Sequence, residues 1–234
     1  MKKFSNRYII LYITVLVAVV ALLLSVVSIG LQPRQEQNRN LEKMTQILQA
    51  SGFKNLDREQ VPALFAQVVE EMNVAQESSS ELLPLYLVQH PDSTFTYVIS
   101  LEGNGLWGPI WGYMAIAEDL NTVTGVVFDH KSETPGLGAE ITEAGFSSQF
   151  SGKMLFDEAG NFTSIKVVKG GVLNSKIDPK HAVDAISGGT ITCQSVEEMI
   201  QECAGKYVAV FKKLREEERR QAVKDRKTYY KVDN

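Results

Sequence analysis

Residues 184–192, with the sequence DAISGGTIT, combine a carboxylate, three hydroxyl groups and two adjacent glycines in one short stretch. Glycines allow the backbone to come close to a ligand, and hydroxyl and N–H groups at the start of a helix favour a phosphate. The same residue types also form an ordinary turn in which Ser or Thr caps the next helix. On these residues alone the capped turn is the preferred interpretation, and phosphate binding is the alternative.

Residues 132–141, with the sequence SETPGLGAEI, form a second candidate stretch. Pro135 fixes one backbone angle and removes a hydrogen-bond donor, while Gly136 and Gly138 permit unusual angles or a close approach of the backbone. Glu133 and Thr134 add polar groups that are able to meet a heterocycle. The alternative interpretation is a rigid loop between a strand and a helix.

The sequence lacks the residues that several other kinds of binding site require. No Lys follows the glycines as in a phosphate-binding G-K-[ST] loop, and neither stretch is a G-x-G-x-x-G after a parallel strand. His90, His130 and His181 are widely spaced, and there is no C-x-x-C or H-E-x-x-H, so the sequence predicts no metal site. The formal net charge of −4 gives no electrostatic reason to expect a nucleic acid as a partner.

Residues 184–192 resemble the flavinylation signature of FMN-binding domains, in which Asp, two spacers and Ser/Thr-Gly-Ala-Thr end on the Thr that carries FMN. Residues 132–138 resemble the second signature of that family. Residues 103–116 (GNGLWGPIWGYMAI), followed by DLNTV at 119–123, are similar to the C subunits of Na+-translocating NADH:quinone reductases. The resemblance covers nearly the whole chain. The sequence departs from it at Gly189, where Ala is typical, and at Cys193, where Ser is common.

The resemblance implies a covalent FMN. In the family a transferase uses FAD as donor and joins the FMN phosphate to the Thr hydroxyl, which places the phosphoester on Thr190 in preference to Thr192. The isoalloxazine ring does the redox chemistry and the protein supplies position and electrostatics. No catalytic acid or base is expected, because electron transfer breaks no bond between heavy atoms.

The other cofactor contacts that the resemblance implies lie on both signatures and on two further segments. They are Asp184, Ser187, Gly188, Gly189 and Thr192 around the ester, Glu133, Thr134, Gly136 and Leu137 beside the ring, Trp107 or Trp111 as a shield, and Lys169 near the phosphate or ring. Asp184 is expected either to shape the turn or to be read by the transferase. A buried core position is the alternative for Trp107, and a solvated strand end is the alternative for Lys169.

The function that the resemblance implies is that of an electron-carrying subunit of a membrane-bound, sodium-pumping NADH:quinone oxidoreductase. This chain itself need not bind NADH. Its expected partners are the other membrane subunits and, during maturation, a flavin transferase. One alternative is the equivalent flavoprotein of a ferredoxin-linked Rnf-type complex, and another is a membrane-anchored binding module without a cofactor.

The N-terminal segment at residues 8–31 carries no charge. As a helix it would span about 36 Å, enough to cross a hydrocarbon core of about 30 Å with some tilt. Lys2, Lys3 and Arg7 precede it, which predicts a cytoplasmic N-terminus and, in a Gram-negative cell, a periplasmic main domain anchored in the inner membrane. A cleaved signal peptide is the alternative, but its apolar region would be shorter and would end at an A-x-A-like site.

The elements that must position these residues are predicted from periodicity and turn signals. A polar linker is expected at 32–40, then a helix ending at Gly52, a second helix capped by Asp57 with Gln60 and running through Val69, and a loop at 77–80. Strands are predicted at 85–90, 94–101, 106–116, 122–130 and 163–169. The last helix is predicted to start near Ser195, with an apolar stripe at Val196, Ile200, Cys203, Tyr207, Phe211 and Leu214.

The predicted fold class is α+β: one N-terminal transmembrane helix, followed by an FMN-binding domain with a mostly antiparallel sheet flanked by helices. The predicted divisions are a cytoplasmic N-terminus (1–7), a transmembrane helix (8–31), a linker and lead-in (32–102), the FMN-binding domain (103–220) and a charged tail (221–234). Cys193, placed before the last helix, and Cys203, placed within it, are predicted to be free thiols.

Overall fold

The computed structural model describes residues 5–76 and 82–232, with side chains as far as residue 217. The chain divides into two compact units, Met1–Lys43 and Met44–Asn234. The first unit contains the N-terminal part of helix α1 (Asn6–Ala50), and the second contains the described strands and the remaining helices. Lys2, Lys3 and the loop predicted at residues 77–80 lie outside the described residues.

Helix α1 is continuous from Asn6 to Ala50 and has Pro33 inside it. The linker predicted at residues 32–40 is therefore wrong, because most residues of this stretch are good helix formers and one proline removes only one hydrogen bond. The apolar part of α1 is long enough to cross a membrane, and α1 is the one helix with this property in the part of the chain that is described. The apolar side chains of α1 between Tyr8 and Leu31 are exposed.

Five strands form one antiparallel sheet in the order of the chain. They are β1 (Val69–Ala75), β2 (Leu82–Gln89), β3 (Phe95–Asn104), β4 (Pro109–Ile116) and β5 (Val123–His130). Turn residues between the predicted strands indicate short connections. Strands that are joined by tight turns pair with each other, so the order of the strands in the sheet follows the order of the chain. The prediction of a mostly antiparallel sheet with helices is confirmed.

Helices cover both faces of the sheet. One face buries side chains such as Ile99, Met114 and Phe128 with those of the last helix, α4 (Thr190–Val232). The other face buries Tyr86, Val98 and Ala115 with Ile47 and Ala50 at the end of α1. Strands with both faces covered read as nearly continuous apolar runs, as residues 110–116 and 123–128 do.

The segment before the sheet differs from its prediction. Helix α2 (Val61–Val68) ends one residue before the predicted end, and β1 follows it directly, a strand that the sequence analysis missed. The predicted capping box is wrong: Gln60 occupies the N-cap position and makes no side-chain cap bond. Asp57 instead accepts a hydrogen bond from the amide of Glu59 at 3.2 Å, within the preceding turn.

Helix α4 begins earlier than the predicted start near Ser195, so Cys193 lies inside the helix and not before it. The predicted apolar stripe is confirmed from Val196 to Phe211, and its residues are buried against the sheet. Cys193 and Cys203 are both buried free thiols, as predicted. The predicted tail at residues 221–232 continues the helix.

Short elements connect β5 to α4. They are 3-10 turns at Gly138–Thr142, Ser148–Phe150, Val172–Asn174 and Pro179–His181, helix α3 (Ala144–Ser147), and strands β6 (Lys166–Val168) and β7 (Ala182–Asp184). β6 is shorter than the predicted strand at 163–169 and pairs in parallel with β7, which the sequence analysis missed. Phe128, Phe146 and Phe150 form an aromatic cluster between β5 and this region.

Candidate functional site

Three segments that are distant in sequence meet at the carboxylate of Glu133. They are the tryptophan loop (residues 105–108, between β3 and β4), the proline loop (residues 132–138, after β5) and the threonine turn (residues 184–192, into α4). Glu133 Oε1 accepts a hydrogen bond from the Trp107 amide at 2.8 Å, and Oε2 accepts one from Thr192 Oγ1 at 2.7 Å. Glu133 is 4% exposed and Thr192 is 2% exposed. The predicted site segments are thus joined by hydrogen bonds to one buried carboxylate.

Two glycines make room for this carboxylate. A Cβ atom on Gly105 would lie 2.5 Å from Glu133 Oε1. A Cβ atom on Gly138 would lie 2.5 Å from Glu133 Oε2 and 2.4 Å from Thr192 Oγ1. Because any side chain would collide with these oxygens, both positions favour glycine for the close approach and not only for backbone flexibility.

The tryptophan loop is held by the proline loop through a further contact. Ser132 Oγ donates to the Trp107 carbonyl at 2.9 Å, and the loop is closed by a bond from the Gly105 amide to the Gly108 carbonyl at 2.8 Å. The Trp107 side chain is 65% exposed. The core position weighed for Trp107 is therefore wrong, and the indole lies at the surface of the site.

The threonine turn places Thr190 at the first position of α4. The turn is closed by a bond from the Gly189 amide to the Ile186 carbonyl, and the helix begins with a bond from the Cys193 amide to the Gly189 carbonyl. The first amides of a helix have no partner inside it, so they are able to meet an anion. Thr190 is exposed at this end, whereas Thr192, one position beyond Ile191, points into the protein.

Cys193 supports the turn from within the helix. Its Sγ accepts a hydrogen bond from the Ile186 amide at 3.3 Å. Burial raises the pKa of the Cys193 thiol above its ordinary value, and the Ile186 amide offsets this only in part. The residue is therefore a protonated, buried thiol at neutral pH that serves packing and turn geometry.

The proline loop lies directly against the threonine turn. A Cβ atom on Gly188 would be 2.5 Å from Leu137 Cδ2, and one on Gly189 would be 3.2 Å from the Leu137 carbonyl oxygen. Leu137 is nevertheless 42% exposed and Ile191 is 54% exposed. With Trp107, each of the three segments therefore presents an apolar side chain at the surface, which is typical of a surface that covers a ligand or a partner.

Asp184 makes its hydrogen bonds with residues outside the three segments that meet at Glu133. Its Oδ1 accepts a hydrogen bond from the Val172 amide at 2.6 Å, and its backbone exchanges two bonds with the Gln149 side chain, at 2.8 and 3.4 Å. Asp184 therefore ties the segment around Gly171 to the start of the threonine turn. Lys169 is exposed at the end of β6, immediately before that segment.

The predicted site residues thus fall into three groups. Glu133, Leu137, Trp107, Gly188, Gly189 and Thr192 are brought together by the contacts above, while Thr134, Gly136, Ser187 and Thr190 lie on the same segments. Asp184 and Lys169 border the neighbouring Gly170–Gly171 segment. Two further residues of the site, Gly105 and Gln149, were not predicted. The cluster of Gly103 and Gly105 indicates only a turn, and the sequence offers no signal for Gln149.

The two glycines of the threonine turn should respond differently to alanine. Gly188 has a φ of +79°, so Gly188→Ala is expected to cost about 1–3 kcal/mol of folding free energy and to push on Leu137. Gly189 occupies the N-cap position without a positive φ, and Gly189→Ala is expected to cost under about 1 kcal/mol. Denaturant unfolding of both variants measures this difference. Equal losses would contradict the geometry of the turn.

Residues 105–205 match the FMN-binding domain family. The C subunit of the Na(+)-translocating NADH-quinone reductase from Vibrio vulnificus (strain YJ016) is 31% identical over 216 residues, which cover 76% of this chain and 83% of that protein. The corresponding protein from Pseudomonas aeruginosa is 29% identical over 238 residues, covering 82% and 91%.

Two solved structures share the fold. The C subunit of the Na(+)-translocating NADH-quinone reductase from Parabacteroides distasonis is 33% identical, has a TM-score of 0.70, and covers 77% of this chain and 96% of that chain. NqrC from Shewanella oneidensis is 26% identical with a TM-score of 0.64, and the match covers 74% of this chain and 96% of that chain.

Proposed function

This chain belongs to the NqrC family, the C subunits of the Na(+)-translocating NADH-quinone reductases, and from that premise we propose that it carries FMN as a phosphoester on Thr190. It is part of an oxidoreductase complex and contains an FMN-binding domain. In the proposal the flavin relays electrons between other subunits of the complex, and this chain itself need not bind NADH. Family membership favours this function over the Rnf-type complex and over a module without a cofactor.

The observation that carries the proposal is the contrast between the two threonines. Thr190 is exposed at the first position of α4, beside glycines and the first amides of the helix, whereas the Thr192 hydroxyl is buried and donates to Glu133. A transferase can reach only an exposed hydroxyl. The dipole of α4 also stabilises a phosphate at this end of the helix.

The residues present fit the group. Gly188 lets Leu137 lie against the turn, where a Cβ atom would be 2.5 Å from Leu137 Cδ2. Ser187 and the amides of the turn are suited to bind the phosphate. Thr134, Gly136, Leu137 and Trp107 lie on adjoining segments and are proposed to border the ring, with Lys169 as a further cationic contact. When bound, FMN supplies the redox chemistry, while these residues orient it and exclude water.

The proposed location is the inner membrane, with the N-terminus in the cytoplasm and the second unit in the periplasm. This is supported by the apolar part of α1 and by Arg7 at its start. The other membrane subunits are the proposed partners of the mature chain, and a flavin transferase is its proposed partner during maturation. The divisions at residues 1–7, 8–31, 32–102, 103–220 and 221–234 remain predictions, apart from the linker at 32–40, which is helical.

The test is to express the chain in membranes with a flavin transferase and to look for flavin fluorescence in a denaturing gel. A fluorescent band at the mass of this chain is expected, because an ester survives denaturation and a bound but unattached flavin does not. The absence of a band from the co-expressed chain would remove the proposal. Co-purification with sodium-dependent NADH oxidation, and not with ferredoxin-linked activity, is the expected result for the complex.

A further inference from the structure

The buried carboxylate of Glu133 lies where three segments of the site meet. We infer that Glu133 is a positioning residue, which holds the Trp107 amide and Thr192 and, through Thr192, fixes the first turn of α4 that carries Thr190. The effect of Glu133 on the reactivity of Thr190 rests on the proposed function. The effect of Glu133 on the structure of the flavin-free chain does not depend on the proposed function.

Both oxygens of this carboxylate are committed inside the protein. One accepts from Trp107 and the other from Thr192, and only 4% of the residue is exposed. The Glu133 amide also donates to His130 Nδ1 at 3.2 Å, which holds the start of the side chain. Among the residues whose side chains are described, no lysine or arginine forms an ion pair with it.

A carboxylate that is buried without a cation is a costly way to gain stability. Its two donors come from two other segments, 26 and 59 residues away in sequence. What such a group provides is a fixed arrangement, because the carboxylate is satisfied only when both segments are in place. The close approach of Gly105 and Gly138, where any side chain would collide with the carboxylate, indicates that the surrounding backbone is adapted to this one arrangement.

The arrangement matters for Thr190 because helix ends fray. The first turn of a helix lacks intrahelical partners for its amides and is held by contacts outside the helix. Thr192 lies in that turn, and its bond to Glu133 ties it to the proline loop. A hydroxyl on a fixed turn is presented to a transferase in one geometry, and loss of geometry is costly for group transfer.

If Glu133 links the two segments, a substitution at Thr192 should increase the mobility of Trp107, which lies on a different segment. The chain has two tryptophans, so Trp111→Phe leaves Trp107 as a single fluorescent reporter. In the flavin-free, full-length chain in detergent, Thr192→Val is expected to lower the fluorescence anisotropy of Trp107, and Thr192→Ser to restore it. Thr163→Val is the matched control, because it removes a partly buried hydroxyl that bonds to Leu155 and His181 instead.

A second pair of variants tests whether Glu133 is the link. In a Glu133→Ala background, Thr192→Val should change the anisotropy of Trp107 no further, because the connection is already lost and the two effects are not additive. Circular dichroism identifies any variant that fails to fold, and the Thr192→Val and Thr192→Ser pair decides the matter without Glu133→Ala. Equal anisotropy in Thr192→Val and Thr163→Val would overturn the inference.

Flavin transfer supplies the functional measurement. With saturating FAD and a purified transferase, Thr192→Val and Glu133→Ala are expected to lower the maximal rate of transfer roughly tenfold with little change in the KM for FAD. An unchanged rate in variants that loosen Trp107 would overturn the link to Thr190. If the unaltered chain accepts no flavin, the proposed function fails, whereas the anisotropy experiment still tests the role of Glu133.

Discussion

Thr190→Val is expected to abolish the covalent flavin completely, whereas Thr192→Val retains it at the end of the reaction. Thr190 has the exposed hydroxyl at the start of α4, and valine matches its shape without the oxygen that forms the ester. Thr192 points inward to Glu133 at 2.7 Å, so its removal slows the modification without removing the acceptor. In-gel fluorescence and intact mass measure the two outcomes.

Thr190→Ser is the control for the attachment site, because it keeps the hydroxyl and removes only a methyl group. It is expected to retain a fluorescent band. A fluorescent band that is present in Thr190→Val and absent in Thr192→Val would show that Thr192, and not Thr190, carries the ester. A band that persists in both single variants would mean that flavin is attached elsewhere in the chain.

Phe150→Ala is expected to lower the free energy of unfolding by about 3–5 kcal/mol. Phe150 is 0% exposed, and its ring centroid lies 5.2 Å from that of Phe128 and 5.3 Å from that of Phe146. Removing the ring leaves a cavity that the two remaining rings of the cluster cannot close. Urea unfolding of the full-length chain in detergent, followed by circular dichroism, measures the change.

The loss of the Phe150 ring is also expected to affect the candidate site, through the neighbouring residue Gln149. Gln149 holds the backbone of Asp184 with two hydrogen bonds, so a shift of Phe150 loosens the start of the threonine turn. Leu173→Ala is the control, because Leu173 is 96% exposed and should cost almost nothing. Equal unfolding midpoints for the two variants would show that the cluster does not support the fold as described.

The sheet could be predicted because its signals are local. Strands β2 to β5 are rich in β-branched and aromatic residues, and clusters such as Gly103-Asn104-Gly105 and Asp119-Leu120-Asn121 separate them. β1 was missed because Val68 and Val69 continue the apolar pattern of α2 and the two glutamates that follow disfavour a strand. Its pairing with β2 outweighs that local preference.

The site could be predicted as a set of segments but not as an arrangement. The glycines, hydroxyls and Pro135 marked the proline loop and the threonine turn as candidates, and the resemblance to FMN-binding domains made them a predicted site. Which group faces which depends on contacts between distant segments, such as Trp107 with Glu133, and periodicity carries no information about these. The start of α4 was misplaced for a related reason. Ser195 is an acceptable cap by residue type, but the helix already begins at Thr190, directly after the turn that the Gly189 amide closes.

Helix α4 joins two regions with opposite demands, because its first residue is exposed while its stripe from Val196 to Phe211 fills the core. If Thr190 carries the ester, the residue that is modified and the residues that fill the core are therefore different parts of one helix. A modifying enzyme could then act at the surface of the folded domain without opening the core.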